Sequence, residues 1–193
     1  MKNHLTKTLI ILSFLFISCS NESKVKNEID EYVEKNFNDP DSYELVDLKL
    51  FDTINEQKVS NYLTVQREVK INKIKNYVKE KREEHSKIAA NALFSGNHYY
   101  LISAMKKLDK QKIILNRLEK DSVKIVQNEI NQLKNYVNSK NISHYRYVHE
   151  FRAKNDVGAL VKCIDTLRIN KDLTLIEDFQ EFLLNKYGVG LLE

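Results

Sequence analysis

The sequence predicts an α+β fold: an N-terminal helix on a small antiparallel sheet, with a long antiparallel, coiled-coil-like helical hairpin inserted between the first and second strands. Three observations predict it. The 193 residues include only four Gly, one Pro and no Trp, so turns are few and elements are long. Two stretches, one before residue 55 and one after residue 141, alternate apolar and polar residues as half-buried strands do. Between them the chain runs without proline and with one glycine, Gly96, in a pattern of threes and fours.

Lys24 to Phe37 places Val25, Ile29, Tyr32, Val33 and Phe37 on one helical stripe. The stripe stops at Asn38-Asp39-Pro40-Asp41, because a proline disfavours helix at the residue before it. Ser42 to Asp52 then reads as a strand, with Val46, Leu48 and Leu50 facing one way and Asp47 and Lys49 the other. Residues 55–141 are expected to form two long helices joined near Gly96, a residue suited to the left-handed conformation of a helix end. In the second helix Leu101, Met105, Leu108, Leu115, Leu118, Ile125, Val126, Ile130, Leu133 and Val137 form the expected seam. The first helix offers a thinner one, Val59, Leu63, Val69, Ile74 and Val78. Its span from 55 to 97 carries nine Lys/Arg against five Glu, a basic solvated face.

Alternation returns with Tyr145, Tyr147, His149 and Phe151 on one face and Arg146, Glu150 and Arg152 on the other. Lys154-Asn155-Asp156-Val157-Gly158 supplies turn residues, and Ala159 to Ile169 follows as the next strand. Leu173 to Ile176 is expected as a fourth strand, and a short helix opens at Asp178 and ends at Gly188. The expected organisation is therefore residues 25–54 and 142–193 as a small α+β domain, with 55–141 inserted.

The first 18 residues have a different character. Lys2 and Lys7 precede the apolar run Thr8 to Ile17, which as a helix would rise about 15 Å, roughly half of a bilayer's hydrocarbon core. That length suits a secretory signal and is too short to span. Phe16-Ile17-Ser18-Cys19 resembles the lipobox of bacterial lipoproteins, although Phe16 stands where leucine is usual. The resemblance implies that residues 1–18 are removed, that Cys19 carries the diacylglyceryl group, and that 19–24 form a tether. Two acyl chains on one cysteine suffice for stable anchoring. No Asp follows Cys19, which favours the outer membrane if the cell is Gram-negative.

A second resemblance is carried by Asn38-Asp39-Pro40-Asp41-Ser42-Tyr43-Glu44 and by His149 to Ala159. These pieces are similar to a small domain of uncharacterised bacterial and phage-encoded proteins, many of them lipoproteins. The chain departs from it at Val157, where Phe is usual, and at Ala159, where Gly is usual. The likeness implies a fold and no activity. The residues themselves carry structural roles: Pro40 and Ser42 stop a helix and start a strand, Asn155 and Gly158 shape a hairpin, and Arg152 is placed to bond to the turn or to Glu44.

Composition narrows the chemistry. Without residues 1–18 the chain is near +2, too balanced to point to nucleic acid. Beyond Cys19 a single cysteine, Cys163, remains. His144 and His149 are five apart on a strand and so face opposite ways, and His85 and His98 lack a third ligand at metal spacing. No metal, cofactor or catalytic motif is expected. Two functions of different class stand: a membrane-anchored interaction or structural module whose hairpin meets a protein partner or another copy, and an envelope hydrolase using His149 with Cys163 or a nearby carboxylate. A third is a phage-type lipoprotein that blocks an envelope channel or receptor. The first is preferred, with Cys163 and His149 as packing residues on apolar strand faces.

Overall fold

The computed structural model describes residues 21–94, 96 and 98–192. The expected signal segment 1–18 and Cys19 lie outside the described residues. The chain divides into two compact units: the chain up to Val59 with Ser139–Phe182, and Ser60–Asn138 with Leu183–Glu193.

In the first unit residues 21–36 are helical (α1) and precede a 3-10 turn at Pro40–Ser42. Strands β1 (Glu44–Asn55), β2 (Ile142–Lys154) and β3 (Leu160–Asn170) form an antiparallel sheet in the order β1-β2-β3. The spacing of Val25, Ile29 and Val33 gives α1 one apolar face, which packs on Leu48, Tyr147 and Ile169 as the core. Around this core stand Phe37, Tyr43, Leu45, Tyr145, Leu167, Leu173 and Leu175. The expected fourth strand is reduced to one bridge, Ile169 to Leu175. Leu173 there has φ +70°, and the Leu175 amide donates to Glu28 Oε2 of α1 at 3.1 Å, so backbone geometry and a side-chain acceptor replace a ladder.

The strict alternation expected for β1 also fails. Register shifts fall between Leu45 and Asp47 and between Leu50 and Asp52. Leu45 pairs with Phe151 and Leu48 with His149, which leaves Val46 as the extra, exposed residue. Leu50 pairs with Tyr147 yet stays exposed on this edge strand, and Phe51, in the second irregularity, lies 5.0 Å beneath the Arg146 guanidinium.

The insertion leaves and returns at one place in the sheet. The Glu56 amide donates to the Asn141 carbonyl at 2.9 Å, and the Ser139 hydroxyl donates to Glu56 Oε2 at 2.6 Å.

The second unit holds α2 (Glu56–Phe94, from Ser60 onward) and α3 (His98–Leu133), followed by a 3-10 turn at Lys134–Tyr136. Gly96 between them has φ +66°, a conformation open to glycine at little cost. Ser60 Oγ donates to the Leu133 carbonyl (2.8 Å), Arg67 Nε to Glu129 (2.9 Å) and Arg82 Nη2 to Glu119 (2.8 Å). Numbers rise along α2 as they fall along α3, so the pairing is antiparallel.

The observed seam is more polar than the sequence implies. Leu115, Val126, Ile130 and Leu133 are buried on α3, but Met105, Leu118, Ile125 and Val137 are exposed. On α2, Leu63 and Val78 are buried whereas Val69 is exposed, and Arg67 occupies the position on the seam between them. Both inward rows recur at threes and fours, and they include the buried Arg67 and the half-buried Glu119 and Ser122.

The last residues also depart from expectation. Assigned by the sequence to the small domain, 183–192 pack with the helices instead. α4 (Phe179–Tyr187) begins at Asp178, whose Oδ1 accepts from the Glu181 amide at 2.9 Å. Tyr136 Oη donates to the Lys186 carbonyl at 2.8 Å and its ring meets Tyr187 edge-on at 4.7 Å. Arg67 Nη2 then reaches the Gly190 carbonyl.

Candidate functional site

The most organised polar cluster lies on the α1 side of the sheet. Antiparallel register sets His149 of β2 opposite Asp165 of β3 and Leu48 of β1. His149 is 3% exposed, with Nδ1 3.0 Å from Asp165 Oδ1 and Nε2 2.9 Å from the Tyr43 hydroxyl. An ionised carboxylate only accepts, so Nδ1 carries the proton and Nε2 accepts from Tyr43. The His149 ring stacks on Phe151 at 4.6 Å, and Phe37, Tyr43 and Phe151 complete the aromatic surround.

Burial sets the electrostatics. It pulls His149 below its ordinary value, and the neighbouring Asp165 carboxylate offsets this only in part. Burial also pushes Tyr43 up to about 12, helped by the negative charges of Asp30 and Asp165. The hydroxyl therefore stays protonated and keeps its role as donor. A carboxylate that orients an imidazole is the geometry of a general base. Here the nitrogen that would do the work is filled by a tyrosine held far from ionisation.

The candidate nucleophile is elsewhere. Cys163 pairs with Phe151, one step along the face from the His149–Asp165 pair, and is half-buried and free. It was expected on an apolar strand face with His149 across the sheet; the partners His149 takes are Asp165 and Tyr43. Asp165 is legible in hindsight, because a hairpin centred on residue 157 pairs 149 with 165. Tyr43 is not, since it precedes β1 and the irregularity at Val46 separates it from simple alternation.

His144, on the opposite face of β2, is buried against the rings of Phe179 and Phe182 at 5.2 and 6.0 Å.

The motif residues hold the ends of the sheet. Pro40 and Ser42 form the 3-10 turn; Ser42 Oγ donates to the Asp39 carbonyl (2.8 Å) and accepts from the Lys154 amide (3.0 Å). Arg152 Nη1 reaches Glu44 at 3.3 Å. Asn155 Oδ1 accepts from the Val157 and Ala159 amides at 3.2 and 3.0 Å, and Gly158 has φ +79°.

The helical unit presents surfaces in place of a polar cluster. Ile114, Leu118 and Ile125 are 62%, 44% and 61% exposed, and their spacing of four and seven keeps them on one side of α3. On α2, Tyr77 and Ile88 are exposed as well. A groove of about 520 Å³ nearby is lined by Ile88, Tyr100, Ala104 and Leu108 together with Lys81 and Lys107. No helix among the described residues is long and apolar enough to cross a membrane. Comparison with known proteins finds no matching family model, curated protein or solved structure.

Proposed function

We propose that the chain is a lipid-anchored extracytoplasmic protein of the bacterial envelope that acts as an interaction module and self-associates through its helical hairpin. The apolar strip of Ile114, Leu118 and Ile125 carries this reading. Three large aliphatic side chains in one row on a helix that already has a partner are unusual on an unpartnered surface, and such rows mark contacts. Burying the exposed half of each contributes about 1 kcal/mol, so two copies meeting through these strips gain roughly 6 kcal/mol before association entropy. Lipid anchoring reduces that entropic cost by confining both copies to one surface. The anchor itself rests on the resemblance of Phe16 to Cys19 to a lipobox.

Full chain recovered from membranes and crosslinked in neutral detergent should give a dimer or higher species. Leu118→Lys with Ile125→Lys should abolish it without unfolding the helices. Persistence of the crosslinked species in that variant overturns the assignment of the strip. Mass spectrometry of the same material should show loss of residues 1–18 and a lipidated Cys19; a soluble, unlipidated product removes the anchor.

The hydrolase reading keeps one observation in its favour, the Asp165–His149 pair. It lacks a nucleophile at Nε2, where Tyr43 stands, and the interaction reading is preferred.

A further inference from the structure

The groove on the other flank of the hairpin carries an excess of positive charge, four basic residues against one acidic. It has a volume of about 600 Å³ and is lined by Lys75 and Arg82 of α2 and by Lys120 and Lys124 of α3. The one acidic residue lining it, Glu119, is taken by Arg82 at 2.8 Å. Lys75, Lys120 and Lys124 make no ion pair with a described residue. Lys120 and Lys124 stand one turn apart, an arrangement in which like charges repel. Asn116 Oδ1 accepts from Arg82 at 2.8 Å, which leaves its amide group to donate, and Gln127 adds a second amide. These groove positions on α3 are offset by two residues from Ile114, Leu118 and Ile125, about 200° around the helix, so the two surfaces do not compete.

We infer that this groove binds the phosphate headgroups of an anionic lipid surface. Three ammonium groups without an ion pair among the described residues, beside the donor amides of Asn116 and Gln127, fit a phosphodiester anion. Ile113, 60% exposed and one turn before Asn116 and Arg117, continues the same side of α3 with an apolar side chain, as a headgroup-level surface requires. No aromatic ring lines the groove, which removes the stacking platform that single-stranded nucleic acid uses. The choice of a bilayer over a soluble polyanion rests on the lipid-anchor reading.

The test uses the full chain mixed with vesicles of phosphatidylcholine alone or of phosphatidylcholine with phosphatidylglycerol. Flotation with the neutral vesicles reads the anchor. Acylation of lysines by a water-soluble ester, located by mass spectrometry, reads the groove. Each lysine near an anionic surface favours it by about fivefold, so three give a preference on the order of 100-fold. Labelling of Lys75, Lys120 and Lys124 should fall severalfold on anionic relative to neutral vesicles and recover at high salt, where the screening length drops to about 3 Å. Lys49 and Lys171 of the sheet unit should label equally on both. In Lys75→Gln/Lys120→Gln/Lys124→Gln, amide exchange across 113–128 should no longer distinguish the vesicles. Equal labelling of the three lysines on both vesicle types overturns the inference. So does equal protection by inorganic phosphate, which makes this a small-anion site, or stronger protection by a single-stranded oligonucleotide. A chain that fails to float with neutral vesicles but shows the anionic protection refutes the anchor and leaves the groove standing.

Discussion

Acidification should loosen the sheet unit through His149, and the size of the effect follows from its surroundings. Its imidazole is buried, stacked on Phe151 and bonded to Tyr43 and Asp165, and the groups that face it are Asp165 from β3 and the Tyr43 hydroxyl, with Asp30 of α1 acting on the latter. Burial depresses its folded-state pKa below the unfolded value of about 6.5. The unfolded chain therefore takes up the proton first, and stability contributed by the neutral ring is present above about 6.5 and is lost as pH falls below it. The slope cannot exceed about 1.4 kcal/mol per pH unit and levels off once the folded-state pKa is passed. Between about pH 7.5 and pH 5.5 the loss is about 1 kcal/mol for one proton. Urea unfolding followed by amide exchange in β2 measures it without assuming that both units melt together. His149→Phe preserves the stack on Phe151 and removes the titrating group, so its pH dependence over this window should flatten. His144 is present in both proteins and cancels in the difference. Identical slopes in the parent and His149→Phe would show that the network does not sense the proton.

Tyr43→Phe removes the donor to Nε2 and leaves a buried nitrogen unpaired, which should cost about 1–3 kcal/mol in sheet stability by denaturant titration. Asp165→Asn should cost under about 1 kcal/mol, because the carboxylate is half-exposed and water replaces what it loses. Arg67→Ala breaks a pair whose guanidinium is buried and whose Nη1 has no partner among the described residues, so a loss of about 3 kcal/mol is expected, with faster exchange in 183–192. Cys163→Ser should change stability by less than about 1 kcal/mol, since the thiol is only half-buried; rapid labelling by a thiol reagent is compatible with this placement, and a large loss of stability is not. Replacing residues 80–112 by a short Gly/Ser turn should leave the sheet's cooperative melt intact, because loop length enters closure entropy only logarithmically and the ends are held by Glu56, Ser139 and Asn141. Loss of the strands would make the hairpin part of the core.

The class of fold was legible because the signals were long and local: Val25, Ile29 and Val33 needed only helical spacing, and the hairpin needed only the absence of breakers. What failed was long-range or irregular. The position of Val46 in β1 is set by how β2 pairs with it, and no property of residues 44–50 alone announces the shift. Val69 and Leu118 look like seam residues by spacing, yet the inward rows of α2 and α3 are chosen jointly, and Arg67 with Glu129 takes a place that apolar periodicity gave to others. The His149 cluster was half readable: the hairpin turn at Asn155 to Gly158 fixes Asp165 opposite His149, whereas Tyr43 arrives from a segment more than 100 residues away. The tail was missed because Gly188 and Gly190 suggest an ending and say nothing about which unit receives it.

Arg67 has a consequence for the order in which the molecule is completed. Its guanidinium is built into the first half of the hairpin, but the Gly190 carbonyl that receives Nη2 lies 123 residues later. Chains are synthesised N-terminus first, so α2 and α3 can pair while that carbonyl has yet to appear. Until it does, an arginine sits in a closing seam with only Glu129 to hold it. A chain stopped short of Gly190 would hold every residue of both helices and of the sheet, and would still carry an unfinished base, the part a quality-control protease would find first.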